Sequence, residues 1–524
     1  MPGQLLLILH AHLPFVRHPE QERFLEESWL FEAALESYLP LLQVLDGWRR
    51  DGLKPRLTLT LSPTLCAMLR DDLLRERTAR RLDALIELAE RETHRTHWEP
   101  AFRPLAEFYH SRFTALKAAW ESHNGDLVDG FRQFEEQGFL EIITTAATHA
   151  VLPLLADHPP SMRGQIFTAC DYHHACFGRH PRGFWLPECA FAHGVGAVLA
   201  EADLRWFLTD THGLLHARPK PRRGVYAPVF TPHGVAVFGR DQESARQVWS
   251  RHEGYPGDPR YRDFYRDIGY DLDLDYLQTA LPAPDTRGFT GIKYHRITGG
   301  DGAKAPYDRP AALRAADEHA SHFLDTRLAQ FERLAAVIDR PPVLVCPYDA
   351  ELFGHWWYEG PEFLDRFVRK ACRGQQTFAL ATPSDILAAQ PALDIATPAA
   401  STWGEGGHLK VWLNEANQWI YPHLQAAQER LTSLARRFHQ PDALTRRALN
   451  QAARELLLAQ ASDWPFILRT GTSPDYARRR VKDHLLRFIT LREQLTAAQM
   501  DEAWLRRLEA RDNLFPGVDY GHWK

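Results

Sequence analysis

Six cysteines in 524 residues (Cys66, Cys170, Cys176, Cys189, Cys346 and Cys372) include no C-x-x-C pair. Such spacing indicates neither a zinc ribbon nor a disulfide framework, and it fits reduced thiols in a cytoplasm. No stretch approaches the roughly twenty apolar residues of a membrane span. The opening "MPGQLLLILHAHLPF" has no basic start, a short apolar run, and histidines where a signal peptide would continue. A cytoplasmic chain without a membrane partner is the expectation. There is no excess of positive charge: the net charge is -5 and the pI about 6.6, which leaves no electrostatic footprint for nucleic acid. Internal repeats, low-complexity tracts and blocks of like charge are also missing. The 44% hydrophobic and 25% charged content therefore describes an ordinary globular protein of two or three domains.

What is abundant is aromatic surface. Fifteen Trp, 16 Tyr and 28 Phe stand beside 26 His, and tryptophan is enriched where flat, partly polar ligands such as sugars are stacked.

The apolar runs "QLLLILHAH" (4–12) and "RLTLTLSP" (56–63) flank a helical stretch, which is a β-α-β unit and implies parallel pairing. Residues 67–137 read as a charged helical insertion. Strand signals resume at 139–150, 183–191, 205–213, 289–297 and 342–351, with a further one at 377–387. Seven or so parallel strands with intervening helices predict an α/β fold, an incomplete (β/α)7 barrel over 1–66 and 138–398. The connection lengths also allow an open doubly wound sheet. From 399 to 524 the pattern is that of a helical domain.

In a β/α barrel the reactive groups end the strands. Here the strand ends carry His10 and His12, His149, Glu188, Asp210 and His212, His295, and Asp349 with Glu351. One such histidine alone is more often structural; the shared rim is the signal. Glu188 lies within "FWLPECAF", where an unpartnered carboxylate is costly unless it pairs with a cation or reacts. Two chemistries fit. An H-x-H followed by distant Asp and His suits metal-assisted hydrolysis, as in polysaccharide deacetylases and amidohydrolases. Two carboxylates about 5–5.5 Å apart suit retaining glycoside chemistry, and Trp185, Trp356, Trp357, Trp403, Trp412 and Trp419 near the rim favour sugars.

"HAHLPF" (10–15), "EIITTAATHAVLPLL" (141–155), "GFWLPECAF" (183–191), "CPYDAELFGHWWYEGPEFL" (346–364) and "TWGEGGHLKVWLNEAN" (402–417) resemble, in order, the five signature regions of glycoside hydrolase family 57. Further stretches, "FGRDQESARQVWS" (238–250), "YRDFYRDIGYD" (261–271), "TGIKYHRITG" (290–299) and "ASDWPFILRTG" (461–471), resemble its glycogen branching enzymes. The resemblance implies retaining α-1,4-glucan chemistry with no metal or other cofactor, with glucan as both donor and acceptor, in a monomer or homodimer. It makes Glu188 the nucleophile and Asp349 the acid/base. By the same resemblance the sugar contacts are His10, His12, Trp29, His149, Arg240, Asp241, Arg266, Tyr270, Trp357, Trp403, His408, Trp412 and Asp463. Thr472 matches a position where a longer amide is expected. Water as acceptor would make the enzyme an amylase, a 4-hydroxyl a 4-α-glucanotransferase, and a 6-hydroxyl a branching enzyme. The Gly- and Pro-rich segment 218–246 is read as a mobile lid with Tyr226, Phe230 and His233 as tip candidates.

Overall fold

The Leu-rich run near the N-terminus is buried because it forms a central strand, β1 (Gly3–Ala11), with parallel neighbours on both sides. A strand covered on both faces needs no polar face, so it reads as one apolar run. The computed structural model describes residues 2–250, 253–298, 304–390 and 392–524. The other strands are β2 (Leu57–Leu61), β3 (Leu140–Thr145), β4 (Gly183–Trp185), β5 (Trp206–Thr209), β6 (Val229–Phe230), β7 (Ala236–Gly239), β8 (Val343–Asp349) and β9 (Phe378–Leu380).

The sheet order is β6-β7-β5-β4-β3-β2-β1-β8, with β9 also pairing with β1. All pairs are parallel except the β6–β7 hairpin. At the two ends of the curl, the Asp241 N–H just past β7 donates to Val345 O of β8 at 2.8 Å. The architecture is an incomplete (β/α)7 barrel, not an open doubly wound sheet. Gly183 opens β4 because a Cβ there would lie 2.2 Å from the Trp206 indole, whose Nε1 donates to Glu141 Oε1 at 3.1 Å.

Two expectations are corrected. Residues 289–297 form no strand of the barrel. They make isolated bridges, Arg262 to Arg296 and His295 to Pro306, and pack on the helical insertion, so His295 is not a rim residue; Gly299 of that motif lies outside the described residues. The alternating apolar residues serve a helical surface: Tyr294 Oη donates to Glu92 Oε2 at 2.8 Å. The missing strand is β7, inside the segment read as a lid. The hairpin turn carrying His233 precedes β7 and so lies at the N-terminal end of the parallel strands. Tyr226 O accepts from Val343 N at 2.9 Å. Val343 starts β8 and Asp349 ends it, and six residues of strand span about 20 Å. Tyr226 is therefore remote from the carboxylates, and the lid reading fails.

Helices α1 (Asp72–Arg95) and α2 (Arg103–Ser122) form the core of the insertion. Asp71 caps α1 by accepting from Leu74 N at 3.1 Å, satisfying one of the free donors of the first turn. Residues from 276 to 293 lie across both helices: Arg91 donates to Tyr276 O at 2.6 Å and Tyr109 Oη to Lys293 O at 2.8 Å. The next helices relevant to the site are α3 (Gln242–Trp249) and α4 (Arg309–Ala335).

The C-terminal part packs α5 (Ile420–Arg437), α6 (Ala443–Ala459), α7 (Asp463–Thr470) and α8 (Pro474–Ala497). Buried Glu455, His484 and Asp512 come close enough together to hold a metal, but they are already engaged: His484 Nδ1 lies 2.7 Å from Glu455 Oε2 and arginines reach His484 and Asp512. Arg480 Nη2 lies 3.1 Å from His484 Nε2, and Arg487 Nη1 donates to Asp512 Oδ2 at 2.8 Å. No described helix is long and apolar enough to cross a membrane.

Candidate active site

Strand register places the first pair of functional groups. His10, near the end of β1, is paired in register with Asp349, the last residue of β8, and neighbouring strands run about 4.8 Å apart. The opposite wall comes from the turn after β4. There Glu188 has φ 61° and ψ 23°, a left-handed conformation that costs a non-glycine residue about 1–2 kcal/mol. Its carbonyl is clamped from the loop that opens the C-terminal helices, accepting from Trp403 N at 3.0 Å and from Thr402 Oγ1 at 2.9 Å. Such strain persists where the surroundings over-determine the conformation.

The two carboxyls differ in their partners. Trp403 Nε1 donates to Glu188 Oε2 at 2.8 Å, and Ser462 Oγ stands 3.5 Å from Oε1. The Asp349 carboxyl accepts no hydrogen bond among the described residues, although Arg240 and His12 both attract its charged form. Burial pushes Glu188 up to about 8, with Asp349 adding repulsion, and pushes Asp349 up to about 7. The two values rank Glu188 as the weaker acid, whereas the hydrogen bonds favour charge on Glu188. Interacting carboxyls titrate as a pair. Within the pair, the direct donors on Glu188 favour the charge there and the proton on Asp349, while Arg240 and His12 act in the opposite sense.

Three histidines floor the cleft. His10 Nε2 and His149 Nε2 are 2.9 Å apart, and the His12 and His149 rings stack at 4.0 Å. His10 lies flat on Trp185 at 4.4 Å. Burial holds His10 and His149 well below the usual histidine range, so both are neutral near pH 7. His12 contacts Ser62 Oγ at 2.9 Å and Asp463 Oδ2 at 3.2 Å, while His149 Nδ1 contacts Ser462 Oγ at 2.8 Å. The start of α7 thus supplies Ser462 and Asp463 to a site built by the barrel. His10 Nδ1 is buried without a partner among the described residues, while the other ring nitrogens are engaged with one another and with these groups.

The cleft has a volume of about 770 Å3. Of the sequence-derived contacts it brings together His10, His12, His149, Arg240, Trp403, Trp412 and Asp463 around Glu188 and Asp349. Two others are corrected because their side chains are used by the protein. Asp241 is 1% exposed: Oδ2 caps α3 through Ser244 N at 2.7 Å and Oδ1 accepts from Gln330 Nε2 at 2.8 Å. Trp357 is buried against Tyr261 and Phe363, and its neighbour Trp356 faces the cleft instead. Trp29, Arg266, Tyr270, His408 and Thr472 stand outside the walls. Trp29 packs edge-on against Tyr476, Arg266 pairs with Asp271 at 2.8 Å, Tyr270 packs against Phe289, and Thr472 contacts Thr470. His408 is exposed on the loop after Gly407.

Sequence reasoning missed Trp249 as a wall residue and Ser462 as a partner of Glu188 and His149, and it gave Glu351 no role. Glu351 Oε1 accepts from His12 N at 3.1 Å and from Tyr38 Oη, which holds the end of β1 against β8. Burial and Asp349 push it up to about 8. The folded chain therefore keeps a proton that the unfolded chain releases above about 4.5, and stability from this group falls as pH rises between those values. Glu351→Gln, which preserves both acceptor contacts, is expected to gain thermal midpoint relative to the wild type by about 2–4 °C between pH 5 and pH 8. Parallel melts at the two pH values check this; a constant difference contradicts it.

Comparison with known proteins gives the site a lineage. Residues 6–397 match the model of "Glycosyl hydrolase family 57", and residues 423–523 match "1,4-alpha-glucan branching enzyme, C-terminal". The chain is 32% identical to the 1,4-alpha-glucan branching enzyme TK1436 of Thermococcus kodakarensis, over 99% of this chain and 78% of that one. Among solved structures, the alpha-amylase AmyC from Thermotoga maritima is similar with TM-score 0.94 and 42% identity, covering 100% of this chain and 99% of that one. The GH57-type branching enzyme from Pyrococcus horikoshii is similar with TM-score 0.89 and 31% identity, covering 100% and 97%. Together with the paired carboxylates at the barrel mouth, these likenesses fix the assignment: the chain belongs to glycosyl hydrolase family 57.

Proposed function

We propose that the chain is a cytoplasmic 1,4-alpha-glucan branching enzyme, which cleaves α-1,4-glucan and transfers the released segment to a 6-hydroxyl with retention. The observation that carries the chemistry is the unequal bonding of the two carboxyls. Glu188, supplied with donors by Trp403 and Ser462, is the nucleophile, and Asp349, whose carboxyl has no donor among the described residues, is the acid/base.

Asp349 protonates the glycosidic oxygen as Glu188 attacks the anomeric carbon, and the C–O bond to the leaving chain breaks. Asp349 then takes the proton of the acceptor hydroxyl as the glycosyl ester opens; two inversions give retention. The neutral His10 and His149 and the Asp463 carboxylate lie where they can bond the hydroxyls of the sugar under attack. The half-buried Trp403 and the exposed Trp356 of the cleft wall offer faces for neighbouring rings.

Branching as the outcome is supported by the likeness to enzymes of that name and by the match of the C-terminal helices to a branching-enzyme model. We also propose the division into a barrel (1–66 and 138–398), an insertion (67–137) and a C-terminal unit (399–524) that completes the cleft, as Trp403, Ser462 and Asp463 suggest.

Hydrolysis is the second reading. It is favoured by the likeness to AmyC and by the position of Tyr226, remote from the carboxylates, which removes that residue as a means of excluding water. Amylose incubated with the enzyme, then debranched and sized, separates the readings. Branching yields short chains that appear only after debranching. Reducing ends without new α-1,6 linkages would make the protein an amylase, and redistributed linear chains would make it a 4-α-glucanotransferase.

A further inference from the structure

The stretch "FGRDQESARQVWS" has a use beyond closing the barrel. Helix α3 begins directly after β7, at the mouth. Its inward residues Ser244, Ala245 and Val248 are buried. Of the polar residues between, Glu243 is tied to α4 through Arg327 at 2.8 Å, and Gln247 through Thr326 at 3.1 Å.

Gln242, Arg246 and Trp249 fall at i, i+4 and i+7, one face of a helix, and all three are exposed. Their side chains have no hydrogen-bond or ion-pair partner among the described residues. With Asp210, Thr211 and Arg240 they line a recess of about 200 Å3. That is smaller than the roughly 300–1,000 Å3 filled by a drug-sized ligand and is nearer the scale of a sugar ring. The recess is not isolated: Arg240 and Trp249 also line the main cleft. Arg240 is held by Asp210 at 3.2 Å and stands over the Trp403 ring at 5.4 Å. It therefore divides the recess from the indole that bonds Glu188.

The acceptor's shape gives this junction a purpose. Water needs no groove. An acceptor attacking through a terminal 4-hydroxyl can lie in the track vacated by the leaving chain. A chain attacking through a 6-hydroxyl continues in both directions past the attacking sugar, so it must cross the donor track and needs space to one side.

We propose that the recess beside α3 is this acceptor arm, holding the α-1,4-glucan whose 6-hydroxyl receives the segment from Glu188. Trp249 stacks on a ring of the acceptor, and Gln242 and Arg246 donate to its hydroxyls. The step is balanced: the ester bond between the anomeric carbon and Glu188 breaks, the bond to O6 forms, and the hydroxyl proton passes to Asp349.

This inference rests on the branching reading, and one experiment distinguishes their failures. Gln242→Ala and Arg246→Ala, which remove exposed side chains without partners, are each incubated with amylose beside the wild type, and new α-1,6 linkages are counted per reducing end released. The acceptor arm requires this ratio to fall at least fivefold in both variants. A role in folding alone would change the total yield and leave the ratio alone. Wild-type ratios in both variants of an enzyme that does branch overturn the acceptor arm only. A wild type that releases reducing ends without branches overturns the branching reading and the arm with it.

Discussion

Glu188→Gln should lose at least about 10⁴-fold in turnover on amylose, on the order of 5.5 kcal/mol of transition-state stabilisation. The substitution keeps the length of the side chain and leaves an oxygen that can accept from Trp403 Nε1, so the turn held by Trp403 N and Thr402 Oγ1 stays in place. What it removes is the negative charge, and with it the carboxylate nucleophile that the proposed glycosyl ester requires. Because a buried carboxyl pushed up to about 8 is replaced by a neutral amide, the variant should melt no lower than the wild type at pH 7–8. Reducing-end release and thermal melts on the same preparation check both halves. Full turnover would refute the role of Glu188; loss of turnover with loss of fold would leave a structural role standing, which the melt excludes.

The second large effect is conditional on the substrate. Asp349→Asn should lower turnover on amylose by about 10²–10⁴-fold, the usual scale of general acid–base catalysis. Formation of the glycosyl-enzyme should be far less affected for a donor whose leaving group departs without a proton, such as a maltooligosyl fluoride. The contrast comes from the Asp349 carboxyl, which accepts no bond among the described residues and holds its proton up to about 7. Equal losses on both donors would assign Asp349 to the architecture of the cleft. Its register partner His10 would then need to be reconsidered as the proton carrier, although burial holds that ring well below the usual histidine range.

Much of this is legible in the sequence because catalytic geometry in a barrel is tied to strand ends. Glu188, Asp349, His10, His12 and His149 are polar residues at the ends of apolar runs, and the structure gathers them in one cleft. The failures have physical causes. Residues 289–297 carry the alternation of a strand, but their apolar side chains meet the insertion helices, and periodicity does not name the partner surface. β7 is four residues long inside a Gly- and Pro-rich segment, too short for its pattern to stand out. Trp356 and Trp357 are adjacent and face opposite ways from one tight turn, so the choice between them depends on backbone geometry.

Asp241 was avoidable. An aspartate three residues before Ser244 at the start of a helical stripe has the form of an N-cap, which is how its carboxylate is used. Ser462 and Trp403 act on Glu188 from more than two hundred residues away, and only the folded chain brings them there.

The central claim is that Glu188 takes the sugar and Asp349 moves the proton. The most direct test is to expose the Asp349→Asn variant to a maltooligosyl fluoride and to map the glycosyl adduct by peptide mass spectrometry. The account predicts an accumulated covalent adduct on the peptide carrying Glu188, because the ester forms without acid assistance and opens slowly without a base. An adduct on any other carboxylate, or steady turnover of the fluoride to an inverted product without an adduct, would contradict it.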